Sequence, residues 1–178
     1  SEWNIKKFTN NRYQNIKLNN NASPIVDKRN YQILLKNFVN PKVLDNKILL
    51  LFDNNLSFEN SDFKNYNFKK ILIIFNPNET RKILLSKKTI FFKESLIHDQ
   101  LQRLKKKSIN CETINIEELK KIDEKVYALY PSIGENLNFI NENSLENIQF
   151  LYRKIDQLSW QYCNKGFFNF KNYIPKII

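Results

Sequence analysis

Two short runs that are apolar at every position constrain this chain more than anything else in it. Ile48-Leu49-Leu50-Leu51-Phe52 and Ile71-Leu72-Ile73-Ile74-Phe75 leave no polar face for solvent. A strand with one wet side alternates, so such runs belong to interior parallel strands covered on both faces by helices. Each ends in turn-forming residues, Asp53-Asn54-Asn55 and Asn76-Pro77-Asn78.

The rest of the chain continues the strand–helix alternation. A long helix is expected over 87–107, with Ser86 as its N-cap and Ile90, Ile97, Leu101 and Leu104 as its apolar stripe. Lys105-Lys106-Lys107 complement the negative end of its dipole. Then come a strand at Cys111–Ile114, a helix at Ile116–Ile122, a strand at Val126–Tyr130, a helix near 134–142 and a strand at Ile148–Tyr152. Helices near 153–164 and 167–176 close the chain. This spacing predicts an α/β fold, a doubly wound, mainly parallel sheet of about five strands with flanking helices. Residues 1–46 read instead as a polar, Asn-rich arm or linker, anchored by Trp3, Phe8, Tyr13 and Tyr31, with a loop at 19–24 and a short helix from Tyr31 to Phe38. The α/β domain is then 47–178.

Composition excludes several classes. Two glycines, where average usage would give about a dozen, leave no material for a dinucleotide fingerprint or a P-loop. One histidine, His98, removes a His-rich metal site and a Ser-His-Asp triad. Cys111 and Cys163 lack metal-ligand spacing and read as reduced, buried thiols. The net charge of +11 points to an anionic partner such as nucleic acid, but 24 Lys against 5 Arg, with abundant Asn and Ile, is also what a low-GC genome produces. No apolar run is long enough to span a membrane, and there is no signal h-region, so a cytoplasmic protein is expected. Ser1 follows removal of an initiator Met or marks a boundary within a longer chain.

Ligands of open α/β sheets sit beyond the carboxyl ends of the strands. Those ends carry Asp53, Asn54, Asn76 and Tyr130, and the segment Tyr130-Pro131-Ser132-Ile133-Gly134-Glu135 opens a helix there. Ser132 and Glu135 have capping-box spacing, and the same helix start, with Gly134 allowing close approach, suits a phosphate or carboxylate. Gly166 reads as the residue that ends the helix through Trp160 in a left-handed turn. Beyond it Phe167, Phe170, Ile174 and Ile177 share a face; with Trp160 and Phe168 they supply either core packing or a surface for another domain. Asp53, Glu94, Asp99 and Asp156 show no pairing that selects a general acid or base.

Three stretches resemble the Rossmann-like domain of the photolyase/cryptochrome superfamily, as found in bacterial photolyase-related FAD proteins. Lys47 to Glu59 is similar to its opening strand and acidic turn, and Lys88 to Leu101 to its first long helix. Tyr130 to Glu135, with Ile155 to Trp160 and Lys165 to Phe170, resembles its closing segment. The likeness covers roughly three-quarters of the chain, 47–176, through short motifs. It implies a domain that holds an antenna chromophore or partners a separate FAD-binding helical domain or subunit, in DNA repair or light sensing. The chain shows none of the FAD-contacting motifs of that helical domain, so no catalysis by this segment alone is expected. The alternative is a basic, non-catalytic nucleic-acid-binding α/β accessory protein. A transferase using the crevice near Ser132 ranks last, since no residue declares itself nucleophile or base.

Overall fold

The computed structural model describes Lys7 and residues 39–76, 78–81, 84–131, 134–163 and 166–177. The chain divides into two units, Ser1–Leu34 and Leu35–Ile178, and the elements that follow all lie in the second. The anchors, loop and helix expected before residue 39 lie outside the described residues.

Five strands form one sheet: β1 (Ile48–Phe52), β2 (Lys70–Ile74), β3 (Cys111–Ile114), β4 (Val126–Leu129) and β5 (Ile148–Leu151). Their order is β3-β2-β1-β4-β5 and every neighbouring pair is parallel. The two fully apolar runs are β1 and, shifted by one residue, β2. All five residues of β1 are buried, as are four of the five in β2. In register, Leu50 of β1 lies between Leu72 of β2 and Ala128 of β4.

Alternate side chains feed two cores. Leu49, Leu51, Ile71, Ile73 and Leu129 pack with Phe58 and Phe63 of the β1–β2 connection and with Ile97 and Leu104 of α1 (Lys87–Lys106). Ile48, Leu50, Phe52, Leu72, Ile74 and Ala128 face Leu119 of α2 (Ile116–Lys120) and Phe139 and Ile140 of α3 (Glu135–Glu142). Each large aliphatic side chain among them contributes about 1.5–3 kcal/mol on burial. Connections leaving β1 and β2 therefore cover one face and those leaving β3 and β4 the other. The winding direction reverses between β1 and β4, which makes the sheet doubly wound.

Caps set most helix boundaries. Ser86 Oγ accepts from the Thr89 amide at 3.2 Å and starts α1 where expected. Asn115 and Glu118 form a reciprocal capping box, both bonds 2.9 Å, at the start of α2. After β5 come α4 (Lys154–Trp160), α5 (Phe167–Phe170), a 3₁₀ turn at Lys171–Tyr173 and α6 (Ile174–Ile177). The single helix expected over 167–176 is broken because Pro175 has no amide to offer Lys171. The Ile174 amide takes the Lys171 carbonyl instead.

Residues 39–46 belong with the sheet rather than with an arm, because Leu44 is fully buried in the core. Asn40 also pairs with the Tyr152 backbone, donating at 2.7 Å and accepting at 2.8 Å. Gly166 does not end α4, which stops at Trp160; it is the N-cap of α5.

Candidate ligand crevice

The reversal between β1 and β4 opens a crevice at their carboxyl ends, and the chain fills it with charge. Asp53 follows β1 directly and is only 5% exposed. Burial of an unpaired carboxylate is costly, and three neighbouring side chains answer it. Lys93, two turns into α1, places Nζ 2.5 Å from Asp53 Oδ2. Arg81, just after the 3₁₀ turn Asn78–Thr80 that follows β2, brings Nη2 to 3.8 Å of the same oxygen. Asn136, in the first turn of α3, donates through Nδ2 to Asp53 Oδ1 at 3.3 Å and to Asn54 Oδ1 at 2.8 Å.

Arg81 is the deepest cation of the group, its side chain 1% exposed. Nε donates to the Asn76 carbonyl at 2.7 Å, and the guanidinium lies 5.6 Å from the centre of the Phe75 ring. Nη1 forms an ion pair with Glu135, the first residue of α3. Burial pushes the Arg81 pKa below its ordinary value, and Asp53 opposes that shift. Charge in the cluster balances, two cations against two carboxylates. Its hydrogen bonding does not. Arg81 Nη2 has no acceptor in hydrogen-bond geometry, only Asp53 at 3.8 Å, and the buried Asn136 Oδ1 has no donor. Both amide hydrogens of Asn136 are already spent on Asp53 and Asn54, so the orphan atom is its oxygen. Unmet buried donors and acceptors cost about 1–3 kcal/mol each and call for an explanation.

The carboxyl ends of β4 and β5 carry an aromatic cluster. The Tyr130 ring, after β4, lies 5.1 Å from Phe150 and Tyr152 and 5.7 Å from Trp160, edge-on to Phe150 and Trp160. Burial, with Tyr130 adding to it, raises the Tyr152 pKa. Trp160 is half-buried in this cluster, and Phe170 is also half-buried. Phe167 and Phe168 are 66% and 79% exposed.

Of the residues picked from sequence, Asp53, Asn54, Asn76, Tyr130 and Glu135 are brought to this end of the sheet by the strand ends and the start of α3. Ser132 lies outside the described residues. The capping box read for it with Glu135 lies there too; among the described residues Gly134 is the N-cap, without a side-chain bond, and Glu135 pairs with Arg81. Gly134 has φ 109° and ψ −163°, a glycine region, and a Cβ there would meet nothing within 4 Å. It serves the backbone turn and no close approach. Cys163 is exposed, against expectation, while Cys111 is buried. Arg81, Lys93 and Asn136 were missed. A signal existed for Lys93, which falls on the helical spacing of Ile90 and Ile97 and so interrupts an apolar stripe.

A cleft of about 740 Å³ lies at the other end of the sheet, lined by Lys69, Lys70, Glu112, Glu118 and Glu124 among others. Its lysines are closed into pairs, Lys69 with Glu124 at 2.7 Å and Lys70 with Glu112 at 2.6 Å. It offers fewer unmet groups than the crevice. Among the described residues no cluster of His, Cys, Asp and Glu is arranged to hold a metal ion, and no helix is long and apolar enough to cross a membrane. No protein-family model, no curated protein and no solved structure matches this chain.

Proposed function

We propose that the crevice between β1 and β4 binds a planar heteroaromatic compound with an imide edge, a flavin or a related chromophore, as in the α/β domain of a photolyase/cryptochrome-like flavoprotein. The observation that carries this reading is the unmet polar pair beside Asp53. Nη2 of Arg81 lacks a hydrogen-bond acceptor, and Asn136 Oδ1 lacks a donor. An imide presents carbonyl oxygens flanking one N–H, which is the complement of that set. The aromatic cluster of Tyr130, Tyr152 and Trp160 suits a flat ring beside it.

Glu135 has a 52% exposed side chain while its partner Arg81 has 1%. The pair therefore runs from solvent into the protein, and an incoming carbonyl or phosphate that took the place of Glu135 would meet Arg81. The cluster names no nucleophile, and Lys93 and Arg81 are both engaged with Asp53. Binding rather than catalysis follows, with chemistry left to a partner FAD-binding helical domain acting in DNA repair or light sensing. The exposed Phe167 and Phe168 are the aromatic surface such a partner would cover.

Titration with FMN and with FAD, followed by flavin absorbance and tryptophan fluorescence, tests this. Saturable binding with a shifted flavin spectrum is expected, and Asn136→Ala weakens it about tenfold, the equivalent of one hydrogen bond. No spectral change with either flavin at about millimolar concentration, on a protein purified without colour, sinks the reading.

A further inference from the structure

At the opposite, amino end of the strands, two smaller clefts meet on Lys107. One, about 440 Å³, is lined by Lys64, Tyr66, Phe68, Lys69, Lys107 and Asn110 among others. The other, about 350 Å³, lies between the 3₁₀ turn Phe58–Asn60 and the last turn of α1, with Glu59, Arg103, Lys106 and Lys107 in its wall. Five cations thus line the two adjoining clefts. Lys69 is paired with Glu124, and Arg103 with Asp99 at 3.0 Å. Lys64, Lys106 and Lys107 are exposed and make no ion pair among the described residues.

Two features go beyond a solvated basic helix end. Tyr66 and Phe68 stand in the first cleft with ring centres 6.4 Å apart. In the second, Glu59 Oε2 accepts from Gln100 at 3.1 Å, but its buried Oε1 has no hydrogen-bond donor and only the longer ion-pair contact with Arg103 Nε at 3.7 Å. Burial drives the Glu59 pKa upward, yet hydrogen bonds from its own backbone and Gln100, with Arg103 and Lys107 nearby, hold it below the ordinary value. An ionised carboxylate with an oxygen that accepts no hydrogen bond, set among cations, asks for a ligand carrying N–H donors as well as negative charge. A polyphosphate has only the second. A nucleobase with its phosphate has both.

We infer that these clefts bind single-stranded nucleic acid, their lysines on the phosphates, Tyr66 beside a base and Glu59 on an exocyclic amine. Duplex DNA hides the faces and pairing edges that Tyr66 and Glu59 would read, whereas a single strand offers them. The inference does not depend on the flavin reading, which concerns the other end of the sheet.

Fluorescence anisotropy with a labelled single strand of mixed sequence, about 20 nucleotides long, in about 50–200 mM salt, provides the test. Lys64→Glu, Lys106→Glu and Lys107→Glu are combined in one variant, and Lys87→Glu, Lys88→Glu and Lys125→Glu, equal in charge change, in another. The cleft variant is expected to bind at least about tenfold more weakly than its control, and its log–log salt slope to fall by about 0.7 for each phosphate it no longer neutralises. Circular dichroism confirms that both are folded. Equal weakening in the two variants would reduce the binding to net charge and overturn the inference. So would absence of salt-sensitive binding by the unaltered protein, tighter binding of the matching duplex, or binding of inorganic polyphosphate as tight as that of the oligonucleotide.

Discussion

Lys93 and Asp53 are joined at 2.5 Å across forty positions of sequence, tying the second turn of α1 to the end of β1. The side chains are 19% and 2% exposed, so the pair is held largely away from water. Arg81 meets the same carboxylate at 3.8 Å, and Asp53 therefore serves two cations at once. Breaking a buried pair by removing one partner typically costs about 3–5 kcal/mol, because a charge is left without compensation. Asp53→Asn is expected to destabilise by about 3 kcal/mol in urea denaturation, and Lys93→Met by about 1–2 kcal/mol because Arg81 still answers Asp53. A double-mutant cycle isolates their coupling. Destabilisation of less than about 0.5 kcal/mol in Asp53→Asn would show that the cluster does not hold the crevice together.

Gly134 provides a test of backbone strain free of packing. At φ 109° and ψ −163° it occupies a region other residues avoid, and an added Cβ would touch nothing within 4 Å. Gly134→Ala is expected to cost about 1–3 kcal/mol in equilibrium unfolding. Asn, which tolerates the left-handed helical region, brings no relief here because ψ is extended. A variant with Asn as stable as the parent would place the turn in a different conformation.

The strands β1, β2 and β4 were legible because burial on both faces removes polar alternation, a pattern that survives without any tertiary knowledge, whereas the edge strands β3 and β5, less buried, followed from the strand–helix spacing. Ser86 marked the start of α1 for the same local reason, a side chain that can reach its own helix. The crevice was half legible. Asp53, Asn76 and Tyr130 follow from the rule that ligands gather at strand ends, but Arg81 and Asn136 reach Asp53 only once β1, β2 and β4 are side by side. The helix near 134–142 was read in place, whereas the helix end at Gly166 was misread: local spacing allowed two registers, and glycine at positive φ settled it as a helix entry.

The two thiols are expected to separate cleanly. Cys163 is exposed, whereas Cys111 is 9% exposed in the core cluster, with burial pushing its pKa up against the opposing effect of Lys105. Reaction needs the thiolate. In the native protein at neutral pH a disulfide-exchange reagent should label one thiol per chain quickly, Cys163 by peptide mapping, and the second only at the rate of unfolding. Prompt release of two equivalents would mean that the α1–β3 packing opens far below global unfolding.

Tyr152 supplies the pH dependence. Its hydroxyl is raised above the ordinary tyrosine value by burial and by Tyr130, so the fold favours the protonated form. That preference contributes in full below the unfolded-state value of about 10 and is lost as the pH rises through the higher folded-state value. Phenylalanine at this position has no proton to lose. The free-energy difference between the parent and Tyr152→Phe, measured by urea unfolding at about pH 9 and about pH 11, should therefore move in favour of the phenylalanine variant at the higher pH. The Asn40 bonds to the Tyr152 backbone remain in both proteins, so they cancel from the comparison. A difference that stays constant across that interval would show the hydroxyl to be solvated, and the aromatic cluster to be open on that side.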